Sequence, residues 1–199
     1  MTDLFAPLAF ARGPGMKNRF MLAPLTNLQS HADGRLSDDE FHWLTLRAQG
    51  GFGLTMTCAA HVQRQGQGFP GQLGVFSDAH VEGLTRLAAA IKAEGSLAMM
   101  QLHHAGMRAP AKLIGGTPVC PSDNAETGAR GLSPAEVEQL AEDFVTAANR
   151  CVQAYAKAWP IGGEPLQATE SHFHAAARDA DSHKIDAALS HFASGAIPG

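Results

Sequence analysis

The chain has 199 residues, 45% of them apolar, and a formal net charge of -4. That is the composition of a globular domain long enough for a sizeable core. It excludes the basic excess of a nucleic-acid binder, the charge block of an interaction tail, and the roughly 20-residue apolar run of a membrane span.

The opening stretch "MTDLFAPLAFARGPG" lacks the basic start and long apolar run of a signal peptide, so a cytoplasmic location is expected. Cys58, Cys120 and Cys151 are sparse, odd in number and free of any CxxC spacing. They are expected to be reduced, neither a disulfide framework nor a zinc site, and not catalytic.

Three strand-then-helix units follow in chain order. The first strand is "NRFMLAP", Asn18 to Pro24, followed by the polar loop "LTNLQSHADGRL". Ser37 with Glu40 three residues later predicts a capping box, with Phe41, Leu44 and Ala48 on one helix face and Gly50-Gly51 as the stop. The second strand is "GLTMTCAA", Gly53 to Ala60, with a long Gly- and Gln-rich loop after it. The second helix begins near Ser77-Asp78, buries Val81, Leu84, Ala88 and Ile91, and ends at Gly95.

The third strand is "SLAMMQLHH", Ser96 to His104. Its alternation Leu97, Met99, Gln101, His103 delivers one polar amide at the end of an apolar face, while Met99 and Met100 read as core filler. After a long loop, "SPAE" from Ser133 to Glu136 predicts a second capping box with Pro134 at its favoured position. The helix that follows carries a broad apolar stripe: Val137, Leu140, Ala141, Phe144, Val145, Ala148, Cys151 and Val152.

Repeated strand–helix units imply a parallel sheet with helical crossovers, its strands buried on both faces. Ligands bind such sheets at the strand C-termini, where Pro24 to Thr26, Cys58 to Ala60 and Gln101 to His104 fall. The pattern then stops. No apolar β-branched run follows Ala154, and the rest is rich in Ala, His and Ser, with at most a short weak helix near Ser182 to Ala193. The expected organisation is a domain over residues 1–155 and an irregular tail over 156–199. So abrupt a change of composition reads as a frameshift or gene fragment. A sheet of three strands also leaves two edges and one face bare, a marginal or aggregation-prone arrangement unless a partner covers it.

The residues resemble the flavin-dependent ene-reductases of the old yellow enzyme family, also called NADH:flavin oxidoreductases. The resemblance is carried in order by "LFAPLAFARGPGMKNRFMLAPLTN", "RAQGGFGLTMT", "MMQLHHAGMRAP", "PVCPSD" and "LSPAEVEQLAEDFVTAANRCVQA", over about residues 4–154. It implies an α/β fold, the N-terminal portion of a (β/α)8 TIM barrel with about three βα units. It implies FMN at the strand C-termini, NAD(P)H as reductant, and hydride transfer from reduced flavin to an activated alkene such as an α,β-unsaturated carbonyl.

By that resemblance, Pro24, Leu25 and Thr26 lie against the flavin ring, with Thr26 tuning its potential. Ala59 is a small residue whose backbone approaches the ring. Gln101 binds the pyrimidine edge, where an amide offers both a donor and an acceptor. His104 is the motif histidine and is read as scaffolding. Met107 stands where the family has Arg, with Arg108 beside it, and Leu28 sits near a position that is Tyr in some members. The family's substrate-binding histidine pair, proton-donor tyrosine and phosphate loops have no counterpart after Ala154, and Tyr155 matches no such role. No catalytic residue and no metal site is assigned. His103, His104, His172, His174, His183 and His191 lack the ligand set that zinc needs. The expected partner is a small activated alkene, together with a complementing chain or a homo-oligomer. The contrasting reading is a non-catalytic remnant or interaction module with no flavin turnover.

Overall fold

The computed structural model describes residues 3–11 and 13–157, which belong to one unit spanning Met1–Pro160. The tail 158–199, including the short helix expected near Ser182 to Ala193, lies outside the described residues.

Strand β1, Met21–Leu22, is preceded by an antiparallel bridge between Leu8 and Met16. It is much shorter than the Asn18–Pro24 run expected from sequence. Asn18 and Phe20 turn instead toward the Gly51–Leu54 connection. The Asn18 Nδ2 donates to the Gly51 carbonyl at 2.7 Å, and the Phe20 carbonyl accepts from Gly53 N at 2.9 Å.

Helix α1, Asp38–Gln49, starts where predicted: the Ser37 hydroxyl accepts from Glu40 N at 3.1 Å. Asp38, Asp39 and Glu40 in the first turn and Arg47 in the last suit the helix dipole. The reciprocal half of the expected capping box is not made, because the Glu40 side chain is fully buried and bonded elsewhere.

Strand β2, Leu54–His61, pairs in parallel with β1 and with β3, Leu97–His103, so the sheet order is β1-β2-β3. Helix α2, Val81–Ala93, enters through a 3-10 turn at Asp78–His80 and closes at Gly95, whose φ of +65° suits glycine. It buries Val81, Leu84, Ala88 and Ile91 as predicted, and Leu87 as well.

The β3–α4 connection, a long loop by its sequence pattern, holds structure of its own. A single helical turn α3, Ala111–Ile114, is followed by a two-residue pairing of β4, Val119–Cys120, with β5, Arg130–Gly131. Helix α4, Pro134–Lys157, has the predicted reciprocal cap: Ser133 N donates to Glu136 Oε2 at 2.8 Å and Glu136 N to the Ser133 hydroxyl at 3.3 Å. The Arg130 guanidinium and the Ser133 backbone hold the Glu136 carboxyl down at about 2.

The helices cover one face of the sheet. Leu22, Leu44, Ala48, Leu87 and Ile91 form one core cluster. Cys58, Ala60, Leu73, Val75, Leu84, Ala147 and Ala154 form the other, with Met100, Leu102 and Phe144 packed on it. Each such fully buried Leu or Ile contributes roughly 1.5–3 kcal/mol of burial free energy. The α4 stripe is narrower than expected. Leu140, Phe144, Ala147, Cys151 and Ala154 line the core at i, i+4, i+7, i+11 and i+14, whereas Val137 is 50% exposed and Ala141 is exposed.

The other face of the sheet is open at β1 and β3, which corrects the expectation of strands buried on both sides for those two; the central β2 is largely buried on both, with Leu54 and His61 of that face closed off from solvent. Met100 is core filler, but Met99, one residue back on the opposite face, is 42% exposed and Met21 is 49% exposed. No helix among the described residues is long and apolar enough to cross a membrane.

Candidate functional site

In a parallel sheet, register partners point to the same face. Met21, Leu54 and Leu97 are aligned across the three strands, as are Met56 and Met99. Ala59 and Gln101 are aligned beyond them, after a bulge between Met56 and Ala59. The open face is therefore an apolar floor of Leu and Met that ends in a small residue beside an amide. Ala59 is half-buried and Gln101 is exposed, so the amide is free to meet a ligand.

The chain leaving β1 passes this edge. Pro24 is half-buried, Leu25 is 50% exposed and Thr26 is exposed. Immediately after them, Leu28 has a φ of +58°, a left-handed conformation that a branched residue rarely holds without outside support. The support is visible. Asn27 Oδ1 accepts from Gln29 N at 3.3 Å, and Ser30 N donates to the Gly71 carbonyl at 3.0 Å. Gly71 lies so close that a Cβ there would stand 2.4 Å from the Leu28 carbonyl oxygen.

The loop after β2 fixes the ends of β2 and β3. The fully buried Gln72 donates from Nε2 to the Ala59 carbonyl at 2.9 Å and lies 3.1 Å from His103 Nδ1, while its Oε1 accepts from Gly68 N at 2.7 Å. His104 accepts at Nδ1 from Gly106 N at 3.0 Å, and its Nε2 lies 3.1 Å from Gln63 Oε1. Gln63 in turn donates to Asp143 on α4. Gly66 lets the His104 ring approach: a Cβ there would stand 2.3 Å from His104 Cδ2. These contacts are those of a scaffold residue. Burial lowers the basicity of both His103 and His104.

Behind the site lies a group that sequence reading took only for a helix cap. The Glu40 carboxyl accepts from Asn27 Nδ2 at 3.1 Å, from the Ser30 hydroxyl, and from the Cys58 thiol at 3.0 Å. Burial, then the Glu40 charge, pushes the Cys58 thiol far up, so it is no nucleophile. Cys58 and Cys120 are buried and all three cysteines are unpaired. Gln72 too was missed, since nothing separates it from the other glutamines of its loop.

The structure thus brings Ala59 and Gln101 side by side and runs Pro24, Leu25 and Thr26 along the same end of the sheet. A surface cleft lined by Asp78, Glu82, Arg86 and Gln153 belongs to the α2 and α4 side and includes none of them. Among the described residues no group of three His, Cys, Asp or Glu could hold a metal. One carboxamide, one hydroxyl and an apolar floor suit a flat, edge-polar heterocycle such as a flavin ring.

Residues 3–158 match the NADH:flavin oxidoreductase / NADH oxidase family. The chain is 36% identical over 155 residues to a probable NADH-dependent flavin oxidoreductase of Bacillus subtilis, covering 76% of this chain and 41% of that protein. It is 35% identical over 161 residues to an NADH:acrylate oxidoreductase of Vibrio harveyi, covering 77% of this chain and 16% of that one. Its fold superposes on the old yellow enzyme homologue from Zymomonas mobilis with a TM-score of 0.70 at 28% identity, covering 77% of this chain and 46% of that one. A 2-naphthoyl-CoA reductase complex superposes with a TM-score of 0.72, also at 28% identity, covering 76% and 26%. The chain spans less than half the length of each of these relatives. The three βα units are therefore the N-terminal portion of a TIM barrel.

Proposed function

The chain belongs to the NADH:flavin oxidoreductase / NADH oxidase family, and from that premise we propose that it holds FMN on the open face of its sheet and serves NAD(P)H-dependent reduction of an activated alkene. The observation that carries the reading is the pairing of Ala59 with Gln101 at the end of the apolar face.

FMN, when bound, would supply the redox chemistry, by which the hydride equivalent of NAD(P)H reaches the β-carbon of an alkene such as an α,β-unsaturated carbonyl while the α-carbon takes a proton from solvent. The chain's own residues bind and orient. Gln101 offers a donor and an acceptor to the pyrimidine edge. Ala59 leaves room for the ring to approach the backbone that Gln72 holds in place. Pro24 and Leu25 give an apolar wall, and the Thr26 hydroxyl gives a polar contact that tunes the reduction potential. The substrate is a small molecule, neither nucleic acid nor membrane, in the cytoplasm. A complementing chain or a second copy of this one covers the face that leaves Met21 and Met99 exposed.

The test is an FMN titration of the purified chain, read by flavin fluorescence and the visible absorption band. Saturable binding at micromolar or lower concentration, followed by NAD(P)H oxidation with an enone acceptor, is the expected result. A folded, soluble chain that leaves flavin fluorescence unchanged at 100 μM would overturn it, and the non-catalytic interaction module would take its place (both concentrations being roughly the millimolar-to-micromolar scale of weak and specific binding).

A further inference from the structure

We infer that Glu40 is a positioning residue for the proposed flavin site, clamping two separate segments of its wall through one buried carboxylate. The inference rests on the FMN reading for its functional meaning and on geometry for its substance. Glu40 is fully buried, yet it lies in the first turn of α1, where a glutamate would ordinarily face water. Its Oε1 accepts from Asn27 Nδ2 and from the Cys58 thiol, and its Oε2 accepts from the Ser30 hydroxyl. All three partners donate, which matches a carboxylate that can only accept.

The partners come from two different places. Asn27 and Ser30 flank Leu28 in the chain leaving β1, directly after Thr26. Cys58 lies in β2, directly before Ala59. One carboxylate thus ties the Pro24–Thr26 segment and Ala59 to the start of the same helix. It also explains the left-handed Leu28: the bonds from Asn27 and Ser30 grip the chain on both sides of it. The clamp further opposes an outward turn of Cys58, because a thiol on the open face would leave a buried carboxylate oxygen short of a donor.

Glu40→Leu removes every acceptor at similar volume. Glu40→Gln keeps an oxygen for Asn27 and Cys58 and turns its amide N–H toward Ser30, whose hydroxyl can accept. Asn27→Ala cuts one limb only and leaves the buried carboxylate in place, so it reports even where Glu40→Leu does not fold. Amide hydrogen exchange without ligand and FMN titration are measured on each, with Leu87→Ala as a control for plain core loosening. The expected result for Glu40→Leu is exchange raised at least about tenfold, the 1.4 kcal/mol scale of one buried hydrogen bond, in residues 25–30 and 58–59 above the rest, with FMN weakened by a similar factor. Asn27→Ala should raise exchange in 25–30 alone, and Glu40→Gln should recover most of the loss. Wild-type failure to bind FMN overturns the function reading, while exchange still decides the clamp. Exchange in both segments unchanged in Asn27→Ala and Glu40→Leu, raised only uniformly as in Leu87→Ala, or equally raised in Glu40→Gln, overturns the clamp.

Discussion

Ala59 stands opposite Gln101 although strict alternation would put Cys58 there. Met56 pairs with Met99, and the next pair is Ala59 with Gln101: three steps on β2 against two on β3. A bulge inserts one residue and exchanges the faces of those that follow. Cys58 is thereby turned into the core, 1% exposed and bonded to Glu40, and the smaller Ala59 takes the place beside the amide.

The first prediction follows from that exchange. Ala59→Leu adds a branched side chain on the open face, where no packed core must give way. Thermal stability should change little, within about 0.5 kcal/mol, as for a surface substitution. FMN affinity should fall by more than about tenfold, because overpacking a close contact costs typically 1–3 kcal/mol. A titration in which Ala59→Leu binds as tightly as wild type would remove Ala59 from the site.

Gln101 is exposed near the end of β3, so its side chain can be changed without opening the core. Gln101→Leu should leave the melt unaltered and weaken FMN by roughly 5- to 150-fold, the 1–3 kcal/mol of polar edge atoms left without a partner. Gln101→Glu keeps an acceptor and loses the donor, so it should fall between the two. A fold-wide loss of stability in Gln101→Leu would point instead to a residue that merely ends the strand.

The strand–helix order, both serine caps and the β3 alternation were legible in sequence because they are local. The apolar period of α2 named four of its buried residues, and the Ser133–Glu136 cap is made as the spacing says. What was not legible depends on distant partners. Ser37–Glu40 has the same spacing as Ser133–Glu136, yet donors from Asn27, Ser30 and Cys58 draw the Glu40 side chain inward. The α4 stripe looked wide because its period says which residues share a face, not how much of that face the core covers; Leu140, Phe144, Ala147, Cys151 and Ala154 join the core cluster, while Val137 stays 50% exposed. The bulge leaves no mark in "TMTCAA", where every candidate residue is small or apolar.

Gly66 and His104 give a third prediction. A Cβ on Gly66 would meet the His104 ring at 2.3 Å, and that ring is held through both nitrogens. Gly66→Ala should therefore destabilise by about 1–3 kcal/mol, the usual cost of overpacking. In the His104→Ala background the same change should cost far less, a coupling that a double-mutant cycle in urea resolves. Additive effects would mean that the ring moves aside freely and does not anchor the loop.

The last prediction concerns pH. His61 is 1% exposed; Nδ1 lies 2.9 Å from the Gln63 carbonyl, and Nε2 has no hydrogen-bond partner among the described residues. Burial, with smaller contributions from nearby His80, Arg64 and His103, pulls its pKa down to about 4 from 6.5. The neutral ring is the folded form. As pH falls below 6.5 the unfolded chain takes up a proton that the folded chain refuses, so stability drops until the folded pKa near 4 is reached, where the slope from this group ends. Between pH 7 and 5 the loss from His61 should be about 2 kcal/mol. His103 and His104, lowered by burial as well, add in the same direction. Urea melts of wild type and His61→Asn, whose amide can still donate to the Gln63 carbonyl, separate the shares. The variant should be less stable at pH 7 but lose less on acidification. An equal slope in both would mean that His61 takes up its proton in the folded chain as readily as in the unfolded one, and that the tilted Phe76 ring 4.8 Å away does not keep it dry.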